Sequence, residues 1–196
     1  MFLKALRAGL VKTRLAAGMG PTAALHAYEH LVETLLGGLS ALEPVELRFT
    51  PDDAANEVSR WLRDGWSSHG QGTGDLGERL SCAFRDAFAS GARRVVVIGS
   101  DCPDVTLADI EAAWAALATH DVALGPATDG GYWLIGLRKL DEAIFRGIHW
   151  STNTVLAETL ANCQQRGLRV HRLRELSDVD TAEDWQRFLQ TKRGSA

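Results

Sequence analysis

The stretch Arg93-Arg94-Val95-Val96-Val97-Ile98 constrains the fold more than any other part of the chain. Its last four residues are all β-branched and none is polar, so a strand there is apolar on both faces and must be covered on both. It runs directly into Gly99-Ser100-Asp101-Cys102-Pro103-Asp104. Helical patterns flank it. Asp75 to Ser90 places Leu76, Leu80, Ala83, Phe84 and Ala87 at helical spacing and stops at Gly91, while Thr106-Leu107-Ala108-Asp109 reads as a capping box opening a helix to about Ala118. A short strand, Asp121 to Gly125, follows, and strand, helix, strand in succession implies parallel pairing.

The same alternation extends outward. Pro44 to Thr50 reads as a strand, Ala54 to Leu62 as a short amphipathic helix and Gly131 to Leu137 as a strand. Ser151 or Thr152 is placed to cap a helix through Gln165, Leu168 to Leu173 reads as a late strand, and Thr181-Ala182-Glu183-Asp184 caps a terminal helix. The pattern predicts an α/β fold, a three-layer doubly wound arrangement with a mostly parallel sheet. With no repeat, low-complexity tract or linker, residues 1–196 are expected to form one domain, which at this length buries roughly 70% of its unfolded surface. Only Met1, Phe2 and Leu3 precede a basic, glycine-containing segment, so the first strand reads as truncated.

Composition excludes several functions. A net charge of -4 argues against nonspecific nucleic-acid binding, no apolar run approaches the length of a membrane span, and three scattered cysteines without a CxxC pair suggest neither a disulfide framework nor a zinc site. A reducing, cytoplasmic setting is expected. The basic residues of the first 28 positions, Lys4, Arg7, Lys12 and Arg14, occur there without any acid, which suits a small phosphorylated ligand.

Ligands of open parallel sheets bind beyond the carboxyl ends of the strands, and Asp101 stands at such an end, where a carboxylate can hold a divalent cation. Asp104 is explained adequately by a turn around Pro103 and a helix N-terminus. In Asp178-Val179-Asp180 two carboxylates flank one apolar residue before a capped helix, which fits either capping or a metal site. Lys12-Thr13-Arg14 lies between Gly9 and Gly18 as a phosphate clasp or a solvated basic helix face. Gly125 to Trp133 is either a hairpin turn with Tyr132 and Trp133 in the core or a loop presenting Asp129 to a pocket. Asp75 in the glycine-rich stretch 71–79 is an N-cap, His26 and His30 lack a third metal ligand, and His149 packs before a helix. Ser100 has no nucleophile elbow around it.

Taken together, Val11-Lys12-Thr13-Arg14-Leu15, Gly74 to Arg79, Gly99 to Asp104, Gly125 to Tyr132, Trp150-Ser151-Thr152 and Asp178 to Asp184 resemble, nearly end to end, a bacterial GT-A-like family of nucleotide-diphospho-sugar transferases, some of which accompany radical-SAM proteins. The resemblance implies a Rossmann-like GT-A fold, shared with nucleotidyltransferases of molybdenum-cofactor and phospholactate chemistry. It implies that Lys4, Lys12, Arg14 and Ser100 bind nucleotide or phosphate, that Asp101 and Asp180 share Mg2+ or Mn2+, and that Asp129 acts with Asp101 at the reacting sugar or acceptor. Family members carry a loop like Ala-Lys-Ala-Pro-x-Pro-Gly, whereas this chain keeps Lys4 and Gly9 with Leu6 and Ala8 at the proline positions.

Three functions follow as expectations. The first is a metal-dependent glycosyltransferase taking a nucleotide sugar and a small-molecule acceptor. The second is a nucleotidyltransferase releasing pyrophosphate from an NTP. The third, prompted by the short first strand, is a noncatalytic nucleotide-binding or partner module.

Overall fold

The computed structural model describes residues 1–193 and arranges seven strands in two sheets. The first sheet is wholly parallel, in the order β1 (Phe2–Lys4), β2 (Val45–Thr50), β3 (Trp66–Gly70), with Phe2 opposite Arg48 and Leu47 opposite Ser68. The second has the order β4 (Val95–Ile98), β6 (Tyr132–Leu137), β5 (Val122–Pro126), β7 (Val170–Arg172). Here β6 is antiparallel to both neighbours and β5 is parallel to β7. The helices are α1 (Thr13–Met19), α2 (Pro21–Gly38), α3 (Ala55–Val58), α4 (Leu76–Ala89), α5 (Leu107–Ala116), α6 (Val155–Gln165) and α7 (Ala182–Arg193).

Alternation along the strands sends side chains to two separate cores, because successive residues point to opposite faces. Val97, Leu124 and Ile135 join Phe2 from β1, Leu80 and Phe84 from α4, and Cys163 from α6. Their neighbours Ile98, Ala123 and Leu134 pack instead against Leu35 of α2 and Ile110 and Ala113 of α5. Helices therefore cover both faces of the second sheet, giving the expected three layers. Leu3, Leu47 and Phe49 form a third cluster with Tyr28, Val32 and Leu36, so α2 packs on both sheets. Each fully buried large aliphatic or aromatic side chain contributes about 2 kcal/mol of transfer free energy.

The join between the sheets is made by side chains. Among the described residues β1 and β4 share no ladder; instead the buried Tyr28 hydroxyl accepts from the Lys4 backbone N–H at 2.8 Å and hydrogen-bonds the Ser100 hydroxyl at 2.9 Å. No helix among the described residues is long and apolar enough to cross a membrane.

The structure corrects four local expectations. The β4–α5–β5 unit is not a parallel neighbour pair, because β6 is inserted between its strands; only residues 127–131 link β5 to β6, too short for a crossover, so these two close an antiparallel hairpin. The helix expected over Ala54 to Leu62 is α3 followed by a 3-10 turn, Ser59–Trp61, with Leu62 already extended as the chain turns toward β3. β3 itself, Trp-Ser-Ser-His-Gly, was not signalled, since a polar edge strand carries no apolar alternation. Ser151 and Thr152 do not cap α6: Ser151 is left-handed at φ 65°, and the Thr152 hydroxyl donates to the His149 carbonyl. The helix starts only at Val155. By contrast Asp75 with Glu78, Thr106 with Asp109 and Thr181 with Asp184 all form the expected caps.

Candidate functional site

Four loops meet at the carboxyl ends of β1, β4, β5 and β7, and main-chain hydrogen bonds lace three of them together. The Val179 N–H donates to the Asp101 carbonyl at 2.9 Å, and the Thr128 N–H donates to the Leu176 carbonyl at 3.0 Å. An isolated parallel bridge between Ala127 and Leu176 prolongs the pairing of β5 and β7. In Asp178-Val179-Asp180 the middle residue is buried at 5% exposure, so the flanking acids face the other way, toward the space the loops enclose. Asp101, Asp129, Asp178 and Asp180 thus come from three loops that are stitched to one another.

The fourth loop brings the cations. After β1, Arg7 is anchored by Glu57 at 2.6 Å and Asp53 at 2.9 Å, and the chain turns through Gly9 to Lys12. Lys12 adopts the left-handed conformation, φ 48° and ψ 51°, immediately before α1, which costs a non-glycine residue about 1 kcal/mol. That turn points its side chain inward. Only 4% of it is exposed, its ammonium is ion-paired with Asp101 Oδ1, and Asp180 Oδ1 lies 3.9 Å away. Arg14, by contrast, is 72% exposed and reaches the other Asp180 oxygen at 2.9 Å.

Four carboxylates facing two cations leave this mouth acidic. Half-burial pushes the Asp178 carboxyl up, and the nearby charge of Asp129 adds to that, with Lys12 partly offsetting it. The Cys102 thiol beneath is pushed up strongly by burial and by the same acids, so it remains a neutral core thiol.

The remaining candidates separate clearly. Asp129 is exposed at the hairpin tip, where its Oδ1 accepts from the Gly131 N–H at 2.8 Å. Gly130 must be glycine: its φ is +89°, and a β-carbon there would lie 2.2 Å from the Asn153 carbonyl oxygen. Trp133 is buried, as the hairpin reading requires, so that reading and an exposed Asp129 hold together. Lys4 ends β1 with an exposed side chain. The Ser100 hydroxyl is turned behind the strand end onto Tyr28, with the residue 5% exposed, so its side chain braces the loop rather than facing the mouth. Asp104 lies outside, 3.9 Å from Lys192, and its carbonyl accepts from Arg174. His30 stacks edge-on against Trp185 and Phe188, and His149 pairs with Glu158 at 2.9 Å.

A groove of about 950 Å³ lies at the opposite strand ends, but its carboxylates are already held: Asp121 by Arg138, Asp141 by Arg166 and Glu142 by Arg85. The mouth around Lys12 is the place where charges are crowded rather than matched. Among the described residues no three His, Cys, Asp or Glu side chains converge as a metal site. The Lys12 ammonium lies between Asp101 and Asp180. Hard carboxylate oxygens of this kind suit Mg2+ or Mn2+. The alternating acids of Asp178-Val179-Asp180 mark Asp178 in the sequence without fixing its role, and Tyr28 carries no motif at all.

A family model described as "Uncharacterized protein conserved in bacteria (DUF2064)" matches residues 38–152. Among solved structures, the chain matches a "putative nucleotide-diphospho-sugar transferase" from Desulfovibrio desulfuricans G20 at 36% identity and a TM-score of 0.90, over 100% of this chain and 87% of that one. It also matches Rv0371c in complex with manganese from Mycobacterium tuberculosis H37Rv, at 16% identity and a TM-score of 0.52, over 97% and 96% of the two chains. A third match is CMP:2-keto-3-deoxy-manno-octonic acid synthetase complexed with CTP, at 12% identity and a TM-score of 0.56, over 87% and 88%. The last two likenesses concern the fold. Among curated proteins none matches this sequence.

Proposed function

This chain belongs to the bacterial family described as DUF2064, and from that premise we propose that it is a transferase acting on a nucleotide-diphospho-sugar with Mg2+ or Mn2+. The observation that carries the proposal is the Lys12 ammonium seated between Asp101 and Asp180 at the carboxyl ends of the strands. The 36% identity to the Desulfovibrio protein over the whole chain supports the choice of donor class.

Asp101 and Asp180 are the residues that would hold the cation, which would neutralise charge building on the diphosphate as the sugar leaves. Lys12 and Arg14 stand within reach of the same place and would bind the phosphate oxygens, with Lys4 at the rim. Asp129, at the tip of a hairpin pinned against Asn153, is held to orient a hydroxyl of the sugar or acceptor. Tyr28 and Ser100 fix the spacing between the end of β1 and the Asp101 loop.

A thermal-shift panel of nucleoside diphosphates, nucleotide sugars and NTPs, with and without Mn2+, tests the reading, because a ligand bound only by the folded state raises apparent stability. A nucleotide sugar should stabilise the parent in the presence of Mn2+ and lose that effect in D101N. Equal stabilisation of parent and D101N would overturn the assignment. Pyrophosphate release from an NTP and a phosphorylated acceptor would move the reaction to nucleotidyl transfer. Binding without turnover would leave a nucleotide-binding module.

A further inference from the structure

Lys12 is unusual in two independent ways. It and Ser151 are the two non-glycine residues with positive φ among those described, and its charged side chain is nearly as buried as the core leucines around it. A charge withdrawn from water needs close partners, and Lys12 has Asp101 in contact and Asp180 at 3.9 Å. A divalent cation held by these two carboxylates would sit roughly 2.0 to 2.6 Å from their oxygens, and the ammonium, in contact with Asp101 and 3.9 Å from Asp180, stands in the way of that position. An ammonium and a divalent cation that close together would repel each other.

We propose that Lys12 is a built-in stand-in for the divalent cation: it holds Asp101 and Asp180 while the site is free of nucleotide, and a diphosphate draws it away, so that the metal enters with the nucleotide and not before. The inference rests on the metal-dependent reading above and adds to it an order of binding. Lys12 has a flexible four-carbon stem and sits at the start of α1 beside Arg14, so its ammonium can exchange a carboxylate for a phosphate by rotamer change alone. Diphosphate and metal then favour one another reciprocally, because each removes the obstacle to the other. Arg14 cannot play this part. It is largely in water, where its charge is already screened, and it touches only the outer oxygen of Asp180.

The test uses Mn2+ alone, titrated against the full chain without nucleotide and followed by loss of the free Mn2+ signal in electron paramagnetic resonance. K12M should bind Mn2+ at least about tenfold more tightly than the parent, R14M less than about threefold more tightly, and D101N added to K12M should abolish the gain. K12Q serves as a second variant if thermal melting shows K12M poorly folded. In the parent, a nucleoside diphosphate such as UDP, GDP or CDP should raise Mn2+ affinity. Unchanged affinity in K12M and K12Q, or an equal gain in R14M, would overturn the stand-in role. If D101N still lost nucleotide-linked Mn2+ binding in that case, the metal-dependent site would survive without it. Absence of Mn2+ binding in every variant, with or without nucleoside diphosphate, would overturn both.

Discussion

Two clusters of charge lie at the same end of the molecule and behave in opposite ways. Around Asp109 every demand is met: Arg174 donates to both carboxylate oxygens at 2.7 Å, and the Thr106 N–H and hydroxyl donate to Oδ2 at 2.8 Å. That carboxyl is pushed down to about 2, chiefly by its hydrogen bonds from Arg174. Around Lys12 four carboxylates share two cations, and Asp178 is pushed up instead. The first cluster completes a helix cap and belongs to folding. The second keeps like charges together at some expense of stability, a pattern found at functional sites.

The contrast breaks most readily at Asp101. D101N should weaken binding of a Mn2+–nucleotide complex by about 100-fold, roughly 2.7 kcal/mol, measured by calorimetry, and should lower the melting temperature as well, because it takes the contact partner from the buried Lys12 ammonium. In the other cluster stability alone should fall. D109A removes the ion pair and one half of the cap, so urea unfolding should report a loss of about 2 kcal/mol with ligand affinity unchanged.

A pH series sharpens the same point. The folded-state value for Asp109 lies below the usual value near 3.9, so its contribution is present above about pH 4 and is lost as pH falls toward 2. R174M should flatten that acid limb of the stability curve; an unaltered limb would show that the pair is not what sustains it. The smallest effect is expected at Asp178. D178N relieves half-buried charge beside Asp129 and should raise stability at pH 7 by about 0.5 kcal/mol while lowering affinity for the Mn2+–nucleotide complex, and a loss of stability would refute the crowding argument.

The layered α/β fold was legible because β4 and α4 speak through local chemistry: an all-apolar strand and an evenly spaced helix face. Caps at Asp75, Thr106 and Thr181 were legible for the same reason, each needing only residues three apart. The insertion of β6 was not, since it depends on which strands pair across the sheet rather than on any strand's own composition. Likewise the acids of the site were visible one at a time, at Asp101, Asp129 and Asp180. Their meeting depends on the Val179 to Asp101 and Thr128 to Leu176 hydrogen bonds, which link residues far apart in the chain. The inward turn of Lys12 hangs on one backbone angle that no residue type announces.

The phenol at position 28 gives this architecture an adjustable gauge. Main-chain ladders lock neighbouring strands at a fixed interval, but the gap between the cation-bearing loop and the acid-bearing loop is bridged, beneath the charged groups, by one oxygen atom reaching the Lys4 amide on one side and the Ser100 hydroxyl on the other. Exchanging residue 28 or 100 therefore alters the seating of the two loops from beneath, without removing any of the charged groups.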